Sequence, residues 1–256
     1  MNENPDLYPS FVDAPSLRKR GLGSVVLRGF AAGGVLLVLL ALLLPLFNRN
    51  VASAARRVHC YNNLRQIALA LEKYQAIYQA FPPAHTVDSS GKPLHSWRTL
   101  ILPYLDEERL YEKIDLSKAW DDPANAEAFG TKLSVYHCYS NAYPQNHTGY
   151  LAIVGSNACF QATESRPVAE ITDDPAQTLM VIEVPLDKTV HWMKPVDADE
   201  QLVLSIGPNS KLLHQRGVSA LFVDGHIQFL STETDFQVRR ALISINGNES
   251  VSEGSR

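Results

Sequence analysis

From Gly29 to Phe47 the sequence reads GFAAGGVLLVLLALLLPLF, nineteen residues without a charge. Wound as a helix at about 1.5 Å per residue, this run is roughly 28 Å long, close to the roughly 30 Å hydrocarbon core of a bilayer. Ten of the twelve residues from Val35 to Leu46 are Val or Leu. That density predicts a membrane span rather than a buried core helix. Upstream, Leu22 to Leu27 is also largely apolar, so the span is placed at 22–48, with Arg28 snorkelling to the interface. Pro45 falls in the last turn, where a kink costs little. No A-x-A-like site directly follows the run, which argues against a cleaved secretory signal.

Charge does not orient the span. Arg18, Lys19, Arg20 and Arg28 precede it, and Arg49, Arg56, Arg57 and Arg65 follow, a tie under the positive-inside count. Long domains translocate largely regardless of charge, and all three cysteines, Cys60, Cys138 and Cys159, follow the run. The expected arrangement is a single pass through the cytoplasmic membrane. A disordered tail (1–21) lies inside, a domain (49–245) outside, and a short polar tail (246–256) ends the chain.

Directly after the span, 51–79 reads as a stalk helix. Leu64, Ile67, Ala68, Leu71, Tyr74, Ile77 and Tyr78 recur at three- and four-residue steps, and Phe81-Pro82-Pro83 ends the pattern. The head (80–245) begins with a helix predicted over Trp97–Tyr111, broken or kinked at Pro103. Asp121-Asp122-Pro123-Ala124-Asn125 is a turn capping a short helix that runs to Phe129. Strands are predicted at Tyr150–Val154, Thr178–Val184 and Gln201–Leu204. Helices first and strands later, without alternation, give an α+β class with an antiparallel sheet.

The sharpest local signal is a hairpin. Val218–Val223 and His226–Leu230 flank Asp224-Gly225, a type I′ turn sequence. A two-residue loop would pair Val223 with His226, Phe222 with Ile227 and Ala220 with Phe229. Val218, Ala220, Phe222, Ile227 and Phe229 would then share one face.

His214, nine residues, then Asp224-Gly225 resembles the H-X9-DG signature of the DUF1559 family of planctomycete-type bacteria. So do Arg28-Gly29-Phe30, Leu42-Leu-Leu-Pro45, Ala55-Arg56-Arg57, the block from Cys60 to Leu71, Trp97-Arg98 and Leu102-Pro-Tyr-Leu105. Leu110-Tyr111, Trp120-Asp121, Cys138, Ile171-Thr-Asp173, Val181-Ile-Glu183-Val184 and Trp192-x-Lys194-Pro195 continue the series in order. In the signature, Gly217 is kept and Arg216 replaces a family Gly. The resemblance implies a pseudopilin-like architecture, with an N-terminal transmembrane helix running into a long amphipathic helix packed on the sheet. Some family members are labelled solute-binding proteins, and no catalytic residue set comes with the family. Prepilin-type processing would cut between Gly29 and Phe30 and place Glu at the fifth mature position, where Gly34 stands. An uncut anchor is therefore expected here, rather than a filament subunit.

The chemistry is sparse. His214 and Asp224 have a catalytic or metal alternative. The preferred reading makes Asp224 a turn residue that tolerates positive φ and His214 a partner of nearby backbone. His226 is expected to be solvated. Glu183 would share a face with Leu179 and Val181, buried beside a cation or at a sheet edge. An enzyme reading would need Glu183 with His191 or His214 in one pocket.

One cysteine pair could bridge outside the cytoplasm, and the sequence does not choose among three pairings. His59-Cys60 and His137-Cys138 suggest a metal site, but residues adjacent on a helix point about 100° apart and do not readily share an ion. No metal and no cofactor are expected. Phosphate-loop, G-x-S-x-G, H-E-x-x-H and C-x-x-C motifs are absent from the sequence. A net charge of −4 disfavours nucleic acid as a partner. Trp97, Trp120 and Trp192 could stack on a polysaccharide or peptide, with core packing as the simpler role. The expected function is a structural or interaction role at the cell envelope, without enzymatic activity. Its expected partners are the lipid bilayer and other envelope or secretion-system proteins. A binding module and a processed minor pseudopilin are the alternatives.

Overall fold

The computed structural model describes residues 54–138 and 142–247, together with Gly33, Gly34 and Val38, which are helical. The chain divides into two units, 1–51 and 52–256, and the architecture below belongs to the second. The expected span, the Gly29–Phe30 cleavage point and the two terminal tails fall on residues that are, with few exceptions, outside the described ones. Among the described residues no helix is long and apolar enough to cross a membrane.

Helix α1 covers residues 54–78, as the apolar stripe predicts. Leu64, Ile67 and Leu71 are fully buried, with Ala68 and Ala70 beside them. The stripe ends sooner than expected, because Ile77 and Tyr78 are exposed. Gln79 closes the helix in the left-handed region (φ 56°), its N–H donating to Gln75 O at 2.8 Å.

Short elements follow: β1 (Ala80–Phe81), β2 (His85–Val87), β3 (Pro93–Ser96), α2 (Trp97–Leu100), α3 (Glu108–Tyr111) and α4 (Ala126–Gly130). The helix expected over 97–111 is broken in three. Pro103 sits in a 3-10 turn, Leu102–Tyr104, and Asp106 takes a left-handed φ of 61° before α3. The turn before α4 forms as read, with Asp122 Oδ1 accepting from Ala124 N–H.

The second half contains β4 (His147–Thr148), β5 (Tyr150–Ala152), β6 (Arg166–Pro167), β7 (Leu179–Glu183), β8 (Val190–His191), α5 (Glu200–Ser205), β9 (Gly217–Phe222), β10 (Ile227–Ser231) and α6 (Phe236–Ile243). The strand expected at Gln201–Leu204 is helix α5. Asp199 caps it by accepting from Leu202 N–H at 2.8 Å, and an aspartate N-cap followed by Glu200 outweighs a short apolar run.

The main sheet is antiparallel in the order β10-β9-β7-β5, which bears out the α+β class. One face carries Val181 and Leu221 in a core with Leu64, Ile67 and Leu71 of α1. The other carries Ile182, Ala220, Phe222 and Leu230 with Val203 of α5 and Leu242 of α6. Arg239 of α6 ties that layer together, donating to the carbonyls of Ser231, Thr232 and Ile206.

The hairpin forms, but one residue out of the expected register. Leu221 pairs with Ile227, Ala220 with Gln228 and Ser219 with Phe229. The loop has three residues. Phe222 N–H donates to His226 O and Gly225 N–H to Phe222 O, both at 3.0 Å, and Gly225 alone takes the positive φ, 85°. This is the three-residue hairpin with a glycine bulge, which competes with the two-residue turn for the same Asp-Gly. A one-residue slip turns side chains to the other face, so Ile227 and Phe229 lie with Leu221 and Ser219, not with Ala220 and Phe222. A bulge between Leu179 and Val181 likewise sends Leu179 into the opposite core from Val181.

Two residues of the His214–Gly225 segment now have reasons. Arg216 stands at φ 66°, a conformation that costs an L side chain about 1 kcal/mol and suits glycine, the residue the family resemblance implies there. At Gly217 a methyl would overlap the Leu230 carbonyl oxygen and the Phe229 ring. Gly217→Ala is therefore expected to cost about 2–3 kcal/mol through forced strand displacement, read as a lower urea midpoint. An unchanged midpoint would contradict the close approach of the strands.

Candidate functional site

The functional-group cluster lies at the α1 face of the sheet. Cys60 comes from α1, Cys138 from the segment after the 3-10 turn Ser134–Tyr136, Glu183 from the end of β7, and His214 from the approach to β9. One donor atom from each of the four lies within 4.8 Å of the others. All four are buried, at 0, 1, 3 and 1% exposure in that order.

Local chemistry brings them there. Asn63, three residues along α1 from Cys60, donates through Nδ2 to Ser134 O and His137 O, both at 3.0 Å. That clamp delivers Cys138 to the helix, and its N–H donates to Tyr143 Oη at 3.0 Å. Cys60 and Cys138 form a disulfide, with Cα atoms 5.2 Å apart. Of the three pairings left open by the sequence, the structure adopts this one. Cys159 is the buried free thiol, and burial pushes its pKa up, away from thiolate chemistry.

Glu183 Oε2 accepts from Ser219 N–H at 3.2 Å. Its Oε1 lies 3.4 Å from His214 Nε2 and has no hydrogen-bond partner among the described residues, and His214 Nδ1 has none either. The Nε2 edge of His214 also faces Cys138 Sγ at 3.8 Å. The backbone partner expected for His214 is thus replaced by a carboxylate and a sulfur. Beside them, burial and then the charge of Glu183 push the Tyr150 phenol up.

His191 does not join this group. Its Nδ1 accepts from Met193 N–H at 3.2 Å, so Nε2–H donates to Phe129 O at 3.0 Å. The ring stacks on Phe129 at 4.3 Å, and burial pulls its pKa down. These contacts hold it as a neutral packing histidine. Of the two histidines weighed beside Glu183, only His214 meets it.

The remaining family-motif residues make packing and hydrogen-bond contacts. Trp97 and Trp192 are buried, with their N–H groups donating to Asp197 Oδ1 at 2.9 Å and Thr131 O at 3.0 Å. Neither offers a face to a ligand, and Trp120 alone of the three is half-exposed. Asp224 does not take the positive φ expected of it. Its Oδ1 accepts from His226 N–H at 3.0 Å and meets His226 Nδ1 at 2.6 Å, an Asx turn that closes the loop.

Two clefts, of about 290 and 220 Å³, lie elsewhere. One is lined by Gly155, Asn157, Glu200 and Arg240, the other by Glu72, Phe81, Val223 and Asp224. They sit at or under the small end of the usual range for small-molecule sites, roughly 300–1,000 Å³, and neither is lined by the buried cluster. The cluster can hold a disulfide or bind an ion; it offers a substrate no approach through these clefts. The convergence is hidden in the sequence, where Cys60 and Cys138 stand beside His59 and His137 and no spacing motif ties them to Glu183 or His214. One signal was available: all four residues sit in the blocks that carry the family resemblance.

A family model described as "Protein of unknown function (DUF1559)" matches residues 51–177. The match takes in Cys60 and Cys138 and stops short of Glu183 and His214. No curated protein and no solved structure matches the chain.

Proposed function

Because the chain belongs to the DUF1559 family, whose function is unknown, we propose a role from its own residues: a single-pass, membrane-anchored protein whose α+β domain works outside the cytoplasm as a structural or interaction module of the cell envelope. The observation that carries this reading is the disulfide that joins Cys138 to Cys60, the latter on α1 a short way after the uncharged run 29–47. Structural disulfides persist in oxidising compartments and are rare in the cytosol. The run supplies the anchor, and the bridge fastens the helix that follows it to the head. The lipid bilayer and neighbouring envelope proteins are the proposed partners. No catalytic step is assigned, since the titratable cluster is enclosed.

The test is a pair of C-terminal fusions in a Gram-negative host. Alkaline phosphatase is expected to be active and a cytosol-dependent fluorescent protein dark. The reverse pattern would overturn the topology. N-terminal sequencing of the membrane-extracted protein distinguishes the anchor from a processed pseudopilin, for which the chain would begin at Phe30.

A further inference from the structure

We propose that, when Cys60 and Cys138 are dithiols, their two sulfurs, His214 Nε2 and the Glu183 carboxylate form a closed four-ligand site for a divalent ion of the zinc class. This goes beyond the reading above and is independent of where the domain resides. A tetrahedral zinc ion, bonded at about 2.0 Å to nitrogen and oxygen and about 2.3 Å to sulfur, separates its ligand atoms by about 3.3–3.8 Å. Glu183 Oε1 and His214 Nε2 are 3.4 Å apart, and His214 Nε2 and Cys138 Sγ 3.8 Å. All four donors already lie within 4.8 Å of one another, so in the dithiol form the sulfurs must separate and the widest pairs close by about 1 Å.

Three further features fit an ion. Glu183 Oε1 is a buried acceptor with no hydrogen-bond partner among the described residues, a costly state that coordination relieves. Ser219 N–H holds the other carboxylate oxygen, the kind of outer contact that orients a ligating carboxylate. The donors are two sulfurs, an imidazole and one oxygen, a soft set that suits zinc and not magnesium or calcium. Two thiolates and one carboxylate against a dication leave the site one negative charge. Full burial makes it a structural site rather than a catalytic one.

Loading releases two protons, one from each thiol, to solvent. Disulfide formation removes two electrons and two protons from the same thiols and eliminates both sulfur ligands. Ion and bridge are therefore mutually exclusive. A phosphine reductant restores the site: the disulfide, the phosphine and one water become two thiols and the phosphine oxide.

The experiment uses the purified full-length chain, reduced with a phosphine, desalted anaerobically and titrated with Co²⁺. The expected result is a thiolate-to-cobalt charge-transfer band with intense tetrahedral visible bands, saturating at one ion per chain and abolished by Zn²⁺. The air-oxidised chain should show neither. Cys159→Ser should leave the bands intact, whereas His214→Ala and Glu183→Gln should each weaken binding by roughly tenfold or more. Should those variants fail to fold, X-ray absorption at the zinc edge of the wild type decides alone, with two sulfur and two lighter ligands expected. Absent bands, bands indifferent to both variants, or a different ligand count would overturn the site.

Discussion

Arg98→Met is expected to destabilise the domain by about 3–5 kcal/mol, the cost of breaking a buried ion pair from one side. Arg98 and Asp197 are 0% and 4% exposed and meet at 2.7 Å. The guanidinium also donates to the carbonyls of Trp192 (2.9 Å), Lys194 (2.8 Å), Val196 (3.0 Å) and Tyr150 (3.3 Å). Asp197 Oδ1 in turn accepts from Trp97 Nε1 and Ala152 N–H, each at 2.9 Å. One side chain thus closes the 192–198 loop onto α2 and β5. Methionine matches much of its volume and none of its donors.

The loss has a pH signature. Burial pushes the Asp197 carboxyl up, and Arg98 pulls the other way; without the arginine it rises further. An acid whose pKa is raised on folding is a liability above its folded pKa, and the liability fades as pH falls through that value. The gap between wild type and Arg98→Met should therefore be widest near neutrality and narrow on acidification. Urea titrations followed by the buried Trp97 and Trp192 would measure it. A gap that stays below about 1 kcal/mol would refute the clasp.

Cys60→Ala with Cys138→Ala is expected to cost a further-reaching about 4–5 kcal/mol, because the bridge spans 78 residues of sequence and restricts the unfolded chain accordingly. For a domain of this size that corresponds to a fall in Tm of roughly 10–15 °C. Alanine avoids burying new hydroxyls, and a chelator in both samples removes any contribution from metal. A loss below about 1 kcal/mol would mean that the bridge does not constrain the unfolded state. Single replacements should approach the double one, since either abolishes the bond.

How much of this was legible beforehand depends on range. The α1 stripe, the Asp122 cap and the strands Tyr150–Ala152 and Leu179–Glu183 follow from residues within a few positions of each other, and they formed. The register slip has a clear origin. β9 is buried along its whole length because the sheet carries a core on each face, and a strand covered on both sides loses the alternation that marks a register. With that marker gone, Asp224-Gly225 suited two loop lengths, and the two-residue reading displaced every pair by one. At Gln201–Leu204 the short apolar run reads as a strand, and the Asp199 side chain, accepting from Leu202 N–H, makes it a helix instead.

Read alone, the sequence established a nineteen-residue uncharged run, an amphipathic helix behind it, an antiparallel hairpin and a family, because periodicity, turn chemistry and ordered motifs are properties of neighbouring residues. The tertiary structure decided the strand register, the two-sided core, the choice of cysteine partners and the meeting of His214 with Glu183. Those depend on contacts such as Asn63 with the carbonyl of Ser134, 71 residues away. Packing makes such contacts only after the local elements exist, and no spacing along the chain encodes them.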